Sequence, residues 1–307
     1  MEHMAARLFP SLLAVLLLVA TPSAHAGGLP PTALDAGPEG VLDHTGDHRL
    51  TAVPLATRTV LTKSETRGGR VLRASIIDGR WGVPVVADDG TSAGISADGA
   101  TLVLTRVARA YPRRHTGFAV IDTGSMALRD TVELDGEWRF DALSPGGRWL
   151  YLVEQPERLY ADAAAIRAYD LRNHRLLSSS EPLRGSPIAR ATGPGGRWEY
   201  TLYAGGKRAF IHALDTVRRT SLTLDLPRGV TGHRGLWALR LAIRRGKVAV
   251  LHGDRIVASA ARRPRRASAG GGPPWLAVAA ALTGLLIAAR GTRRAQAASR
   301  RRRQPLV

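Results

Sequence analysis

The sequence predicts an all-β protein whose body is a β-propeller of roughly five four-stranded blades. Three observations predict it. A turn followed by an extended apolar stretch recurs four times: Ser96-Ala97-Asp98-Gly99 before 100–104, Ser144-Pro145-Gly146-Gly147 before 148–152, Gly193-Pro194-Gly195-Gly196 before 197–201, and Ile243-Arg244-Arg245-Gly246 before 247–251. The last turn glycines, Gly99, Gly147, Gly196 and Gly246, lie 48, 49 and 50 residues apart. Between these passages runs a second piece, a strand, a polar turn opened by Asp122, Asp170 or Asp215, and another strand. Aspartate suits that place because its carboxylate can bond the backbone of its own turn.

The chain opens on what reads as a secretory signal, residues 1–26. Arg7 supplies the positive start, 8–20 is apolar except for Pro10 and Ser11, and Ala24-His25-Ala26 has the small-x-small pattern of a cleavage site. The alternative is an uncleaved anchor, but the apolar run is shorter than the ~20 residues a bilayer crossing needs. Residues 27–40, rich in Gly and Pro as far as Pro38, read as a disordered linker.

The propeller is expected over 41–261. Its first unit, 50–86, is divergent: 59–66 and 71–77 alternate as a hairpin about the Arg67-Gly68-Gly69 turn. Each later unit combines an entering strand such as 138–143, the Gly turn, a strand such as 149–153, a connection, and the Asp-turn hairpin. A blade cannot bury both faces alone, so stacking should bury Trp138, Trp149, Tyr151, Trp198 and Tyr200. A strand from the N-terminal side could complete the last unit and close the ring; an open or irregular ring is the alternative.

After a tether of Arg, Gly, Ala and Pro over 262–274 comes a second apolar run, 275–289, led by Trp275 and broken only by Thr283. It reads as a transmembrane helix, short but extended by the reach of Arg290 and Arg293. A soluble helix would need a polar face that this run lacks. The Arg-rich tail 290–307 then belongs in the cytoplasm and the body outside, as the positive-inside rule prefers.

The phrases Ile121-Asp122-Thr123, Ser96-Ala97-Asp98-Gly99 and Ser144-Pro145-Gly146-Gly147-Arg148 resemble the bacterial surface-layer and YVTN-type β-propeller repeats over about residues 90–255. An excess of Arg over Lys and abundant Ala and Gly match high-GC genomes such as those of actinobacteria. The resemblance implies a secreted, membrane-anchored propeller and is nearly silent on chemistry. This chain departs from the repeat by placing Gly146 and Gly195 where the turn acid belongs, and by Ile243 and Arg244 in the last turn.

Composition narrows the function further. The chain has no cysteine, which excludes disulfides and thiolate chemistry. Of the net +19, residues 262–307 supply eleven arginines and no acid, leaving about +8 for the body. That charge fits membrane orientation and anionic partners better than nucleic acid. Gly90-Thr91-Ser92-Ala93-Gly94 fits a hydrolase string but lacks the strand-to-helix setting that a nucleophile elbow needs. Asp43, His44, Asp47 and His48 read as a solvated turn, since no helix places the histidines on one face.

The connections between second and third strands are the candidate binding face: Tyr111, Arg113, Arg114 and His115 in one unit, and Glu157, Arg158, Tyr160 and Asp162 in the next. The expectation is a binding or scaffolding module in the cell envelope, without cofactor, metal or catalytic residues. Its partners would be the membrane through the C-terminal helix and an envelope protein or acidic wall polymer. The alternative is an enzyme on the same scaffold, such as a lactonase-like metal-dependent hydrolase.

Overall fold

The computed structural model describes residues 36–37, 39–108, 111–155, 164–205, 208–226 and 235–261. Within them the chain forms twenty strands and two single-turn 3₁₀ segments. The strands are β1 (Ala36–Gly37), β2 (Val41–Leu42), β3 (His48–Pro54), β4 (Arg58–Glu65), β5 (Val71–Asp78), β6 (Trp81–Pro84), β7 (Thr101–Arg106), β8 (His115–Asp122), β9 (Ala127–Asp135) and β10 (Glu137–Leu143). They continue as β11 (Trp149–Gln155), β12 (Ala164–Asp170), β13 (Arg175–Leu183), β14 (Ser186–Thr192), β15 (Trp198–Gly205), β16 (Arg208–Asp215), β17 (Thr220–Asp225), β18 (Leu239–Arg244), β19 (Lys247–His252) and β20 (Arg255–Ala261). The expected signal segment, membrane helix and tail lie outside the described residues, among which no helix is long and apolar enough to cross a membrane.

Five antiparallel sheets follow one another along the chain: β2-β3-β4-β5, β1-β6-β7-β8-β9, β10-β11-β12-β13, β14-β15-β16-β17 and β18-β19-β20. We call them blades 1 to 5. Apart from β1 at the edge of blade 2, each is a meander of consecutive strands, which is the construction of a propeller blade. The apolar faces are buried between neighbours. Leu50, Leu61, Trp81, Leu104 and Ile121 join blades 1 and 2; Phe118, Val132, Trp138, Phe140 and Leu152 join 2 and 3. Tyr151, Ile166, Tyr203 and Leu214 join 3 and 4; Ile188, Tyr200, Leu202, Leu241 and Val250 join 4 and 5. Strands β7 and β8 read as nearly unbroken apolar runs because a neighbour covers each of their faces. Of the five aromatics expected inside, Trp138, Tyr151 and Tyr200 are buried, whereas Trp149 and Trp198 are half-buried.

The turn repeat has one physical cause. Gly99, Gly147 and Gly196 all sit at φ of +65° to +73°, each donating its N–H three residues back, to Ser96, Ser144 and Gly193. Blade 1 carries the same turn at Gly46, φ +77°, bonded to Asp43. Only glycine adopts this region without penalty. Where the motif has serine, its hydroxyl accepts from the first strand residue: Ser96 from Thr101 N–H at 3.0 Å, Ser144 from Trp149 N–H at 2.9 Å. The fifth turn differs. Arg244 pairs directly with Lys247, so Arg245 and Gly246, both at positive φ, form a two-residue hairpin loop.

The Asp turns behave as expected. Asp122 accepts from Ser125, Asp170 from Arg172 and Asn173, and Asp215 from Val217 and Arg218. The threonine that follows the aspartate returns a bond to the Gly turn, Thr123 to Gly99 and Thr216 to Gly196. A boundary device unites the first three blades. In Asp78-Gly79-Arg80-Trp81 and Asp135-Gly136-Glu137-Trp138 the indole N–H donates to the aspartate carbonyl at 2.7 Å, while glycine at φ near +90° lets the chain step to the next blade.

The N-terminal strand does not complete the last blade. Ala36 and Gly37, expected in a disordered linker, pair with Pro84 and Val83 at the inner edge of blade 2. Among the described residues blade 5 has three strands, and none of the four buried clusters spans blades 5 and 1. Val53 and Ile76 on the outward face of blade 1 stay 48% and 62% exposed.

Candidate functional site

Residues from all five blades line one cavity of about 560 Å³, with the Gly turn of blade 4 on its wall. Asp43 and His44 reach it from blade 1, Ser92–Ala97 from blade 2, Asp141 from blade 3, Arg190 and Glu199 from blade 4, and Ile243 from blade 5. Beneath it the centre is bridged. The Asp88 and Asp89 N–H groups of the β6–β7 connection donate to the carbonyls of Pro187 and Ile188 in β14, at 2.9 and 3.1 Å. A second, small cavity of about 60 Å³ is lined by Asp88, Arg139, Gln155, Ala164 and Tyr203. Phe140 and Asp141 line both.

The polar centre of this hub is a buried ionic cluster. Arg190 Nη1 donates to Asp141 Oδ1 at 2.7 Å and to Thr201 Oγ1 at 3.1 Å, and its Nε faces Glu199 Oε2 at 3.4 Å. Thr192 donates to the same glutamate oxygen at 2.7 Å. The three charged side chains are 2%, 6% and 9% exposed. Burial pushes the Glu199 carboxyl up to about 7, against the pull of Arg190. Burial alone would lower the Arg190 guanidinium, but Asp141 and Glu199 hold it above its ordinary value. Asp88 at the small cavity is likewise raised by burial, to about 6, against the Arg139 charge. The hub therefore offers an acid that exchanges its proton near neutrality beside a fixed cation.

The loop face is divided by the structure. Glu157, Arg158, Tyr160 and Asp162 lie outside the described residues; their flanks, Gln155 and Ala164, line the small cavity. Arg113 is 5% exposed and forks onto Glu137 of blade 3, Nε to Oε2 at 3.1 Å and Nη2 to Oε1 at 2.7 Å. It ties two blades together rather than facing solvent. Its guanidinium also lies 5.5 Å from the Tyr111 ring centroid. Arg114 is exposed, and His115, itself exposed, bonds Asp135 at 2.9 Å.

The other candidates resolve simply. Asp43 accepts from Thr45, from the Asp47 and His48 N–H groups and from the His48 ring, so the acid–histidine cluster is a hydrogen-bonded turn between β2 and β3. Among the described residues no group of three or more His, Cys, Asp or Glu is placed to hold a metal. Ser92 stands in the β6–β7 connection, bridged to Val85, with no helix after it. Gly94 of that string sits at φ +119°, where a Cβ would come within 2.5 Å of the Val103 carbonyl, so this glycine serves close packing.

The hub cluster was not singled out from the sequence. Asp141, flanked by Phe140 and Ala142, and Arg190, flanked by Ala189 and Ala191, are charges between apolar neighbours in strands that could have flagged it.

No family model and no curated protein matches the chain. Among solved structures it is similar to TolB from Acinetobacter baumannii, at 14% identity and TM-score 0.38 over 62% of this chain and 44% of that one. It is similar to Kuenenia stuttgartiensis hydrazine synthase at 11% and 0.39, over 73% and 77%. It is similar to the dihydro-heme d1 dehydrogenase NirN at 12% and 0.40, over 74% and 47%. The chain thus spans less than half the length of the first and third.

Proposed function

We propose that this protein is a binding or scaffolding module of the bacterial cell envelope: an exported propeller of the surface-layer/YVTN kind, held to the membrane by residues 275–289 with its body outside. The observation that carries the binding role is the hub, where turn or connection residues of blades 1, 2 and 4, strand residues of blades 3 and 5, and one buried Arg–Asp–Glu cluster line a shared cavity of about 560 Å³. That volume suits a small polar ligand or an inserted partner side chain. The apolar runs at both ends and the arginines that follow 275–289 support export and the orientation. The loop face bearing Tyr111, Arg114 and His115, with Tyr160 beyond the described residues, is the second contact surface, for an envelope protein.

Topology is tested by protease shaving of intact cells expressing the full chain. The body should be cleaved and an epitope after Arg303 protected; a protected body would overturn the reading. The loop face is tested by Tyr111→Ala with Tyr160→Ala, which should abolish partner crosslinking on cells at an unchanged melting temperature.

A lactonase-like hydrolase is the second reading, favoured by two carboxylates at the hub. It is disfavoured by Arg190, which occupies both acids that a metal ion would need.

A further inference from the structure

The turn side of blades 3 and 4 carries a strip of exposed positive charge with its acids hidden. Arg148, Arg172, Arg175, Arg218 and Arg219 are exposed and Arg197 is half-buried. The carboxylates of the same turns, Asp170 and Asp215, are only 3% and 1% exposed, whereas the arginines they hold, Arg148 and Arg197, remain 48% and 40% exposed. Each acid is spent fixing a turn and orienting one guanidinium. At the border Asp130 pairs with His174, and the exposed Asp98 of blade 2 marks where the strip ends. Trp149 locks the two blades' arginines together: Arg148 stands 4.7 Å and Arg219 of the next blade 4.4 Å from its ring centroid. Among the described residues no carboxylate pairs with Arg172, Arg175, Arg218 or Arg219. Arg219 holds its place at φ +58°, which a side chain rarely adopts.

We infer that this arginine strip docks a linear polyanion carrying paired anionic oxygens, an inference that rests on the proposed place of the body in the envelope, where the sequence leads us to expect an acidic wall polymer as partner. Guanidinium forks match paired oxygens of phosphodiesters and uronates alike. The cations are spread over two blades and solvated, with no enclosing pocket, so each contact is weak and affinity requires many anions on one chain. A single small anion does not fit that layout. Nor does a stacked nucleic-acid strand, because Trp149 is covered by two guanidiniums, and Trp198 by Arg197 and stacked Tyr200.

The test titrates the full chain, in non-ionic detergent, with poly(glycerol phosphate), with polygalacturonate and with phosphatidylglycerol vesicles at matched anionic charge. At least one polymer should bind. Arg218→Glu with Arg219→Glu should weaken it about tenfold or more and lower the slope of log affinity against log salt by about two. Arg67→Glu with Arg184→Glu makes the same charge change at exposed sites away from the strip and should stay within about twofold, since exposed charges beyond a Debye length are screened. If the Glu pair melts early, Arg218→Gln with Arg219→Gln carries the comparison. Equal losses in strip and control variants would overturn the strip while leaving polymer binding intact. Failure of both polymers, with or without vesicle binding, would overturn the polymer partner itself and the strip with it. Which polymer binds distinguishes the phosphodiester from the uronate source.

Discussion

Arg190 of blade 4 donates to Asp141 of blade 3 across 2.7 Å, and the guanidinium is 2% exposed. This bond fastens adjacent blades at the point where both line the hub. It is also a commitment, because neither charge can be left there alone. Arg190→Met should therefore destabilise the body by about 3–5 kcal/mol in urea unfolding. Replacing Arg190, Asp141 and Glu199 together by Met, Leu and Leu should recover most of that loss. Recovery would identify the cost as uncompensated charge rather than lost packing.

The hub also sets a pH dependence. Glu199, raised by burial from 4.5 to about 7, binds a proton in the native state that the unfolded chain has already released. Stability therefore falls as pH climbs from about 4.5 to about 7. Asp88, raised by burial from 3.8 to about 6, adds to the same fall. In the opposite direction Arg148 holds Asp170 down at about 2, so its contribution is present above 3.8 and is lost on acidification toward 2. Urea midpoints should be highest near pH 4–4.5. Glu199→Gln should flatten the decline toward neutrality, worth on the order of 2 kcal/mol. A decline that survives Glu199→Gln undiminished would exclude Glu199 as its source.

The repeat glycines are alike in φ and unlike in surroundings. A Cβ on Gly147 would meet Thr101 Oγ1 at 2.6 Å and its Cβ at 2.9 Å, whereas one on Gly99 meets nothing within 4 Å. Gly99→Ala should lose only the left-handed backbone penalty, about 1–2 kcal/mol. Gly147→Ala should lose that and more, because Thr101 is a buried residue of the neighbouring blade. Melting temperatures of the two variants, compared side by side, read the inter-blade contact directly.

These contrasts mark what the sequence could say. Turn glycines and Asp turns were legible because positive φ and self-bonding carboxylates restrict residue choice at one local site; four of five blades carry the glycine turn and three the Asp turn. Blade 1 was read only in part: its Gly46 turn repeats the geometry, but Asp43 and His44 there obscure the motif. The partner of the N-terminal strand was not legible, since two residues, Ala36 and Gly37, carry no pattern that specifies which edge they join. The hub was invisible for a related reason. Asp141, Arg190 and Glu199 are far apart or on different strands in sequence, and only the blade arrangement brings them within bonding distance. Arg113 was read as a surface residue because its loop looks polar; the buried carboxylate that claims it lies in the next blade.

That last pair separates scaffold from binding surface on a single loop. Arg113 gives Glu137 two guanidinium bonds and one from its own backbone N–H at 2.7 Å, and also donates to the Trp138 carbonyl. Both side chains are 5% exposed. Arg113→Ala should cost about 3–5 kcal/mol, since it strands a buried carboxylate, and Arg113→Lys should recover little because an ammonium cannot reproduce the fork. Two positions away, His115→Ala removes an exposed bond to Asp135 and should change stability by less than about 0.5 kcal/mol. Chemical unfolding of the three variants checks the stability side, and crosslinking of the partner on cells checks the other. If Arg113→Lys unfolds like the wild type yet loses the partner, the guanidinium is a contact residue and its structural role is refuted. If Arg113→Lys unfolds early while His115→Ala keeps its stability and loses the partner, the loop divides between the two tasks as its burial says.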